Sequence, residues 1–154
     1  MSDSTIEPGA WQQVANLLQR LPAALDAHLR QTAQLTHFEY RVLEVLHGQP
    51  GGRMQLSALA DASAASLSRL SHVVTTLSRR GFLLREPILG AHGTRAVLTP
   101  TGGLKVRDAA PAYRELVARL VFTGLTEDEV AQLQRLSLEI NGRVIAHVKR
   151  GDES

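Results

Sequence analysis

The sequence predicts a mainly α chain with a small β-hairpin wing (α+β), in the order helix, turn, helix, hairpin of a winged helix-turn-helix, with longer helices at both chain ends. Three observations predict it. From Leu56 to Leu77 the apolar residues recur at helical spacing, Leu56, Leu59 and Ala60 on a short helix and Leu67, Leu70, Val73, Val74 and Leu77 on a longer one. After Gly81 the pattern becomes strand-like: Phe82-Leu83-Leu84 leads into a Pro and Gly region, and Arg95-Ala96-Val97-Leu98-Thr99 returns as a second strand. Positive charge gathers over the same stretch. Seven basic residues face one acid between Ser66 and Arg107, a local +6 in a chain of formal net charge +2, which leaves −4 for the remainder. That asymmetry suits a polyanion meeting the centre of the chain, since neutralised phosphates release counterions. A solvated basic face has the same composition.

At 154 residues the chain suits one domain able to bury a core. Its 44% hydrophobic and 21% charged residues exclude a disordered polymer. Cysteine is absent, which excludes disulfides, thiolate zinc sites and cysteine nucleophiles. No run of about 18 apolar residues is present to span a bilayer, and MSDSTIEPGAWQQ lacks the basic and apolar regions of a signal peptide. The expectation is a cytoplasmic protein with no membrane partner. The six histidines never fall at the i, i+4 spacing of a helical metal pair, and neither a Gly-rich phosphate loop nor a nucleophile elbow occurs. No metal, no cofactor and no enzyme activity are expected.

From Pro8, the residues Trp11, Val14, Leu17, Leu18, Leu21, Leu25 and Leu29 describe an amphipathic helix reaching about Gln31. Pro22 removes a backbone donor within it, so a kink or two consecutive helices are expected. Thr36-His37-Phe38-Glu39 has the spacing of a capping box and starts a second helix, with Phe38, Val42, Leu43, Val45 and Leu46 as its apolar face. Gly48-Gln49-Pro50-Gly51-Gly52 ends it by turn chemistry. Beyond the hairpin, Thr99-Pro100 reads as an N-cap followed by proline at the first helical position. The helix it opens carries Leu104, Val106, Ala109, Ala112, Leu116, Val117, Leu120, Val121 and Phe122, with a bend expected at Pro111 and an end at Gly124. Thr126-Glu127-Asp128-Glu129 is a second capping box and starts the last helix, which ends at His147-Val148-Lys149-Arg150. The terminal helices carry more apolar surface than a module of about 60 residues can cover, so a two-fold dimer formed by both chain ends is expected.

Ser66 is the expected N-cap of a helix from Leu67 to about Arg80. With Leu70, Val73, Val74 and Leu77 inward, the side chains of Ser68, Arg69, Ser71, His72, Thr75, Thr76 and Arg79 lie on or beside the exposed face. Short hydroxyl side chains permit close approach to groove edges or phosphates, and arginine bonds both acceptors of guanine or grips a phosphate. Double-stranded DNA is the partner this face suits; an ordinary solvated helix face is the alternative.

The chain resembles the MarR (multiple antibiotic resistance regulator) family of transcription factors, and an actinobacterial-type subgroup within it. The resemblance covers nearly the whole sequence and is carried by Leu35-Thr36-His37-Phe38-Glu39-Tyr40-Arg41-Val42-Leu43, Ser66-Leu67-Ser68-Arg69-Leu70-Ser71-His72-Val73-Val74, Arg80-Gly81-Phe82-Leu83-Leu84-Arg85-Glu86-Pro87 and Ala96-Val97-Leu98-Thr99. It implies one domain over residues 1–154, with a DNA-binding lobe at 36–99 and dimerisation helices at 8–32 and 100–150. It further implies a homodimeric repressor of a pseudo-palindromic operator, released by a small, often phenolic, acid bound between the dimer helices and the DNA-binding lobe. His37, Tyr40 and Arg41 are polar groups at a helix start that a small acidic ligand can use. Trp11 suits a ligand pocket or a subunit interface, and the pocket implied between the long helices adds Tyr113.

The wing departs from the resemblance. Members commonly carry Asp-x-Arg at the hairpin tip, the arginine entering the minor groove; the corresponding positions here are Gly90, Ala91 and His92. His92 can donate to a minor-groove acceptor in place of the arginine, and Arg95 lies nearby as a phosphate contact. The alternative is a wing with weakened DNA affinity, in a dimer acting as a ligand sensor or protein-interaction module.

Overall fold

A computed structural model describes residues 6–152. It divides into two compact units, up to Glu115 and from Leu116 onward. In the first unit, α1 (Pro8–Ala33), α2 (His37–His47), β1 (Arg53–Gln55), α3 (Leu56–Ala62), α4 (Leu67–Arg79), β2 (Leu83–Pro87) and β3 (Thr94–Leu98) precede α5 (Pro100–Val117), whose last residues pass into the second unit. A mainly helical chain with a small antiparallel sheet is the winged-helix architecture expected from the sequence.

α1 is one helix, so Pro22 does not divide it in two, and it continues to Ala33 rather than Gln31. Pro22 is solvent-exposed, where water can satisfy a carbonyl that loses its amide partner. Only the C-terminal half of α1 is anchored, through Leu25, Leu29 and Ala33, whereas Trp11, Leu17 and Leu18 are exposed. Gln34 ends the helix in the left-handed conformation at φ 52°.

The capping box of α2 is closed on both sides. The Glu39 amide donates to Thr36 Oγ1 at 3.0 Å, and the Thr36 amide donates to Glu39 Oε2 at 2.8 Å. The same carboxylate oxygen accepts from Arg80 Nη1 at 3.3 Å, and Arg80 Nη2 donates to the Gln34 carbonyl at 2.7 Å. Arg80 thus ties the C-cap of α4 to the α1–α2 turn. Replacing it with alanine is expected to lower stability by about 1–2 kcal/mol, a charged hydrogen bond discounted for partial exposure. Urea unfolding with an unchanged m-value checks this.

The core places Tyr40, Leu43 and Leu46 of α2 with Leu29, Leu59, Leu70, Val74 and Leu77, and β2 and β3 close it with Leu83 and Ala96. Leu67, counted on the apolar face of α4 from its spacing, is instead 54% exposed, and Val73 is half-buried. The helix starts at Leu67, one turn before its packed region, so that position extends beyond the core.

The sheet has three strands, not the two of a hairpin, in the order β1-β3-β2, all antiparallel. β3 is central, with Ala96 opposite both Met54 and Arg85. Thr99 then joins sheet to helix: its hydroxyl donates to the Gly81 carbonyl at 2.7 Å and accepts from the Gly102 amide at 3.0 Å, capping α5 as its spacing predicts.

In the second unit, Ala118–Phe122 form a π-helical turn, Gly124 takes φ 87°, and α6 (Glu127–Asp152) follows. The second capping box is present, Glu129 Oε2 accepting from the Thr126 amide at 2.7 Å and Thr126 Oγ1 accepting from the Glu129 amide at 3.2 Å. α5 passes through Pro111 without ending, and its regular α-helical path stops at Val117 rather than continuing to Phe122.

Candidate nucleic-acid interface

α4 is presented as a surface helix by its own residues. Ser66, in extended conformation, caps it by accepting the Arg69 amide at 3.2 Å, while Leu70, Val74 and Leu77 are fully buried beneath. Ser68, Arg69, His72 and Arg79 are exposed; Ser71, Thr75 and Thr76 are half-buried. Thr75 and Thr76 donate their hydroxyls back to the carbonyls of Ser71 and His72.

Two of these residues already have a partner that the sequence does not disclose. Arg85 of β2 donates through Nη2 to the Ser71 carbonyl, to Ser71 Oγ at 3.1 Å and to Thr75 Oγ1 at 2.9 Å. Ser71 and Thr75 therefore fasten the base of the wing to α4. The sequence gives hairpin and helix separately, without the register between them.

The hairpin turns through Leu89, Gly90, Ala91 and His92, closed by the Ile88 amide on the Gly93 carbonyl at 3.2 Å and the Ala91 amide on the Ile88 carbonyl at 3.3 Å. Gly90 and Gly93 adopt φ 75° and 116°, the left-handed side where glycine is favoured. His92 is exposed at this tip, as expected. Arg95, expected as a nearby phosphate contact, pairs with Glu86 directly across the strands at 3.0 Å. Leu89 was not singled out by sequence and is 94% exposed. The tip is thus apolar apart from one imidazole.

A cleft of about 1170 Å³ lies among α1, α2, the α3–α4 turn and α4. His37 and Arg41 line it. Of the other ligand residues expected, Tyr40 is buried in the core, its hydroxyl donating to Glu44 Oε1 at 3.2 Å and its ring 4.4 Å from that of Tyr113. Tyr113 reaches the site only through His37, its hydroxyl 3.2 Å from Nε2, and Trp11 lies on the exposed end of α1, outside the lining. Three residues of the α4 face, Ser68, Arg69 and His72, form part of the same wall. Arg69 rests with its guanidinium carbon 4.0 Å from the Phe38 ring centre.

Burial, reinforced by the Arg41 charge, holds the His37 imidazole below its ordinary pKa of 6.5, and burial pushes the Tyr40 and Tyr113 phenols up. Burial also acts to raise the Asp26 carboxyl, but hydrogen bonds from Arg30 and the His37 amide outweigh it and hold the carboxyl low. His37 is therefore neutral in the fold at neutral pH. Below pH 6.5 the unfolded chain takes up a proton that the folded chain resists, so stability falls with acidification through that window. Urea midpoints at pH 7.5 and 5.5 are expected to differ more for the wild type than for His37→Asn.

No family model matches the chain, and no curated protein matches it. Solved structures do. It is similar to Sco3205, a MarR family transcriptional regulator from Streptomyces coelicolor in complex with DNA, at 30% identity and TM-score 0.79, over 91% of this chain and 85% of that one. It is similar to AbsC, a MarR family transcriptional regulator from the same organism, at 29% identity and TM-score 0.85, over 95% and 97%. BpsR of Bordetella bronchiseptica, described for regulation of its DNA binding by 6-hydroxynicotinic acid, is similar at 26% identity and TM-score 0.68, over 84% and 98%.

Proposed function

The chain belongs to the MarR family of transcriptional regulators, and from that premise we propose that it is a homodimeric repressor of an inverted-repeat operator, relieved by a small aromatic acid. The observation that carries the DNA reading is α4: a capped helix whose buried side is Leu70, Val74 and Leu77 and whose outer side offers Ser68, Arg69, His72 and Arg79. Such a face meets base edges and phosphates at close range. The Streptomyces relatives support the actinobacterial-type subgroup.

Dimerisation is supported by apolar side chains that the fold leaves uncovered: Trp11, Leu17 and Leu18 on α1, and Leu136, Ile140 and Val144 on α6. The effector reading is supported by the cleft and by BpsR, whose DNA binding an aromatic acid regulates. No helix among the described residues is long and apolar enough to cross a membrane. We read the protein as a cytoplasmic regulator and not as an enzyme.

The wing favours a second reading. Its two arginines are engaged by Ser71, Thr75 and Glu86, and its tip carries Leu89 and His92, which suits a dimer of weakened operator affinity serving as a ligand sensor or protein-interaction module. Selection of bound sites from a random duplex pool by the full-length protein separates the two. The repressor reading expects an inverted repeat with half-sites about 10 base pairs apart, centre to centre. A pool that stays unenriched favours the second reading.

A further inference from the structure

Leu89 is the most exposed large apolar side chain among the described residues, at 94%. Its place is built by the turn that carries it. Ile88 to Ala91 form a β-turn closed by the Ala91 amide on the Ile88 carbonyl, with Gly90 third at φ 75°, the arrangement of a type II turn. Leu89 is second in that turn and stands at its outer corner. Beneath it the Ile88 amide donates to the Gly93 carbonyl and closes the loop. Gly90, Ala91 and Gly93 carry little or no side chain, so the apex is narrow, with one projecting apolar group beside the His92 imidazole.

The wing holds this corner at a fixed place relative to α4. Arg85 fastens β2 to Ser71 and Thr75, and Leu89 follows four residues later, up to about 13 Å away at a strand rise of about 3.3 Å per residue. Half the width of α4 adds about 5 Å. Half a helical turn of B-DNA is about 17 Å, so a duplex with α4 in its major groove presents the adjacent minor groove to the wing tip. From Pro87 to Thr94 the chain has no Asp, Glu, Lys or Arg, and Glu86 holds Arg95. What arrives at a groove about 6 Å wide is therefore a slender apex with no fixed charge. A single leucine buries far too little area to hold a protein partner, which needs about 1,200 Å² or more, whereas a base step takes one apolar side chain.

We propose that Leu89 is an apolar wedge: entering the minor groove beside each half-site, it inserts partly between two base pairs, unstacks them and kinks the duplex. The wing then reads deformability, without a hydrogen bond to any base edge. Pyrimidine–purine steps such as TpA and CpA unstack readily, whereas A-tracts are stiff, so the operator carries a flexible step where the wing lands. A leucine held in water on a fixed corner favours any apolar slot that removes it from solvent, and an opened base step is such a slot. The inference rests on the repressor reading above and adds a second determinant of operator choice. It replaces the arginine contact that Gly90, Ala91 and His92 do not supply.

The test uses the full-length protein and its selected inverted repeat, with the base step half a turn outside each half-site set in turn to TpA, CpA or ApA. Wild type is expected to bind the TpA and CpA duplexes about five- to tenfold more tightly than the ApA duplex and to bend them, as read by energy transfer between end labels. Leu89→Ala is expected to lose about tenfold on the TpA duplex, to bind all three about equally without the bend, and to keep the salt slope, since no phosphate contact is removed. Leu89→Met, apolar and of similar volume, is expected to restore both preference and bend. The inference is overturned if wild type shows no step preference on its repeat, if Leu89→Ala keeps the preference and the bend, or if it weakens all three duplexes alike, as a side chain that only shapes the wing does. In each of these cases a wild type that still prefers its repeat to random duplex leaves the repressor reading standing. A wild type that prefers no duplex overturns both.

Discussion

Replacing Gly102 with alanine is expected to lower stability by at least about 3 kcal/mol, at the severe end of single substitutions. Gly102 lies in the first turn of α5, where the helix passes directly over the Phe82 backbone that leads into β2. A Cβ built there runs into the Phe82 carbonyl oxygen and stands 2.8 Å from Leu98 Cδ1. The oxygen cannot yield, because Phe82 leads into β2 and its carbonyl accepts the Thr99 amide at 3.1 Å. Relief requires α5 to lift, which breaks the Thr99 cap. Gly103 is the internal control: its added Cβ meets Leu98 and His47 at 3.8 and 3.9 Å, ordinary contact, and alanine gains up to about 1 kcal/mol in helix propensity. Thermal unfolding of the two variants should move in opposite directions or, at least, differ by many degrees.

The second large effect is expected in DNA binding. Arg69→Ala should cost about 1–3 kcal/mol of operator affinity, a five- to 150-fold loss, and relax preference at the base pair it contacts. Arg79, exposed at the far end of α4, offers the contrast. Without Arg79 the affinity should fall for all duplexes alike, with the salt slope reduced by about 1, as for a phosphate contact. Binding curves on operator and random duplex for both variants separate the two roles.

Much of this was legible in the sequence, and what was not shares a physical cause. The Thr36 and Thr126 capping boxes, the Ser66 and Thr99 caps and the buried Leu70, Val74 and Leu77 are local or periodic, and each stands where spacing placed it. β1 carries no signal in the sequence because a run of three residues is too short for its alternation to stand out, and only pairing with β3 makes it a strand. Of the two outcomes expected at Pro22, two consecutive helices do not occur, since one lost amide on an exposed face does not end a helix anchored further along. The site was read from composition rather than contact. Spacing identified the outer face of α4 but not that Arg85 engages Ser71 and Thr75, that Glu86 engages Arg95, or that Arg69 and His72 also line a cleft. These are long-range pairings between elements whose register no single segment encodes. Tyr40, expected at a ligand, supports the site from the core beneath.

The central claim is that α4 reads a duplex even though the wing tip carries Leu89 and His92 in place of a free guanidinium. The most direct measurement is the affinity of the full-length protein for its selected inverted repeat and for random duplex, from 50 to 200 mM salt. A repressor is expected to bind both less tightly as salt rises while preferring the repeat by about a thousandfold or more at physiological salt. Equal affinity for the two duplexes across that range contradicts the account.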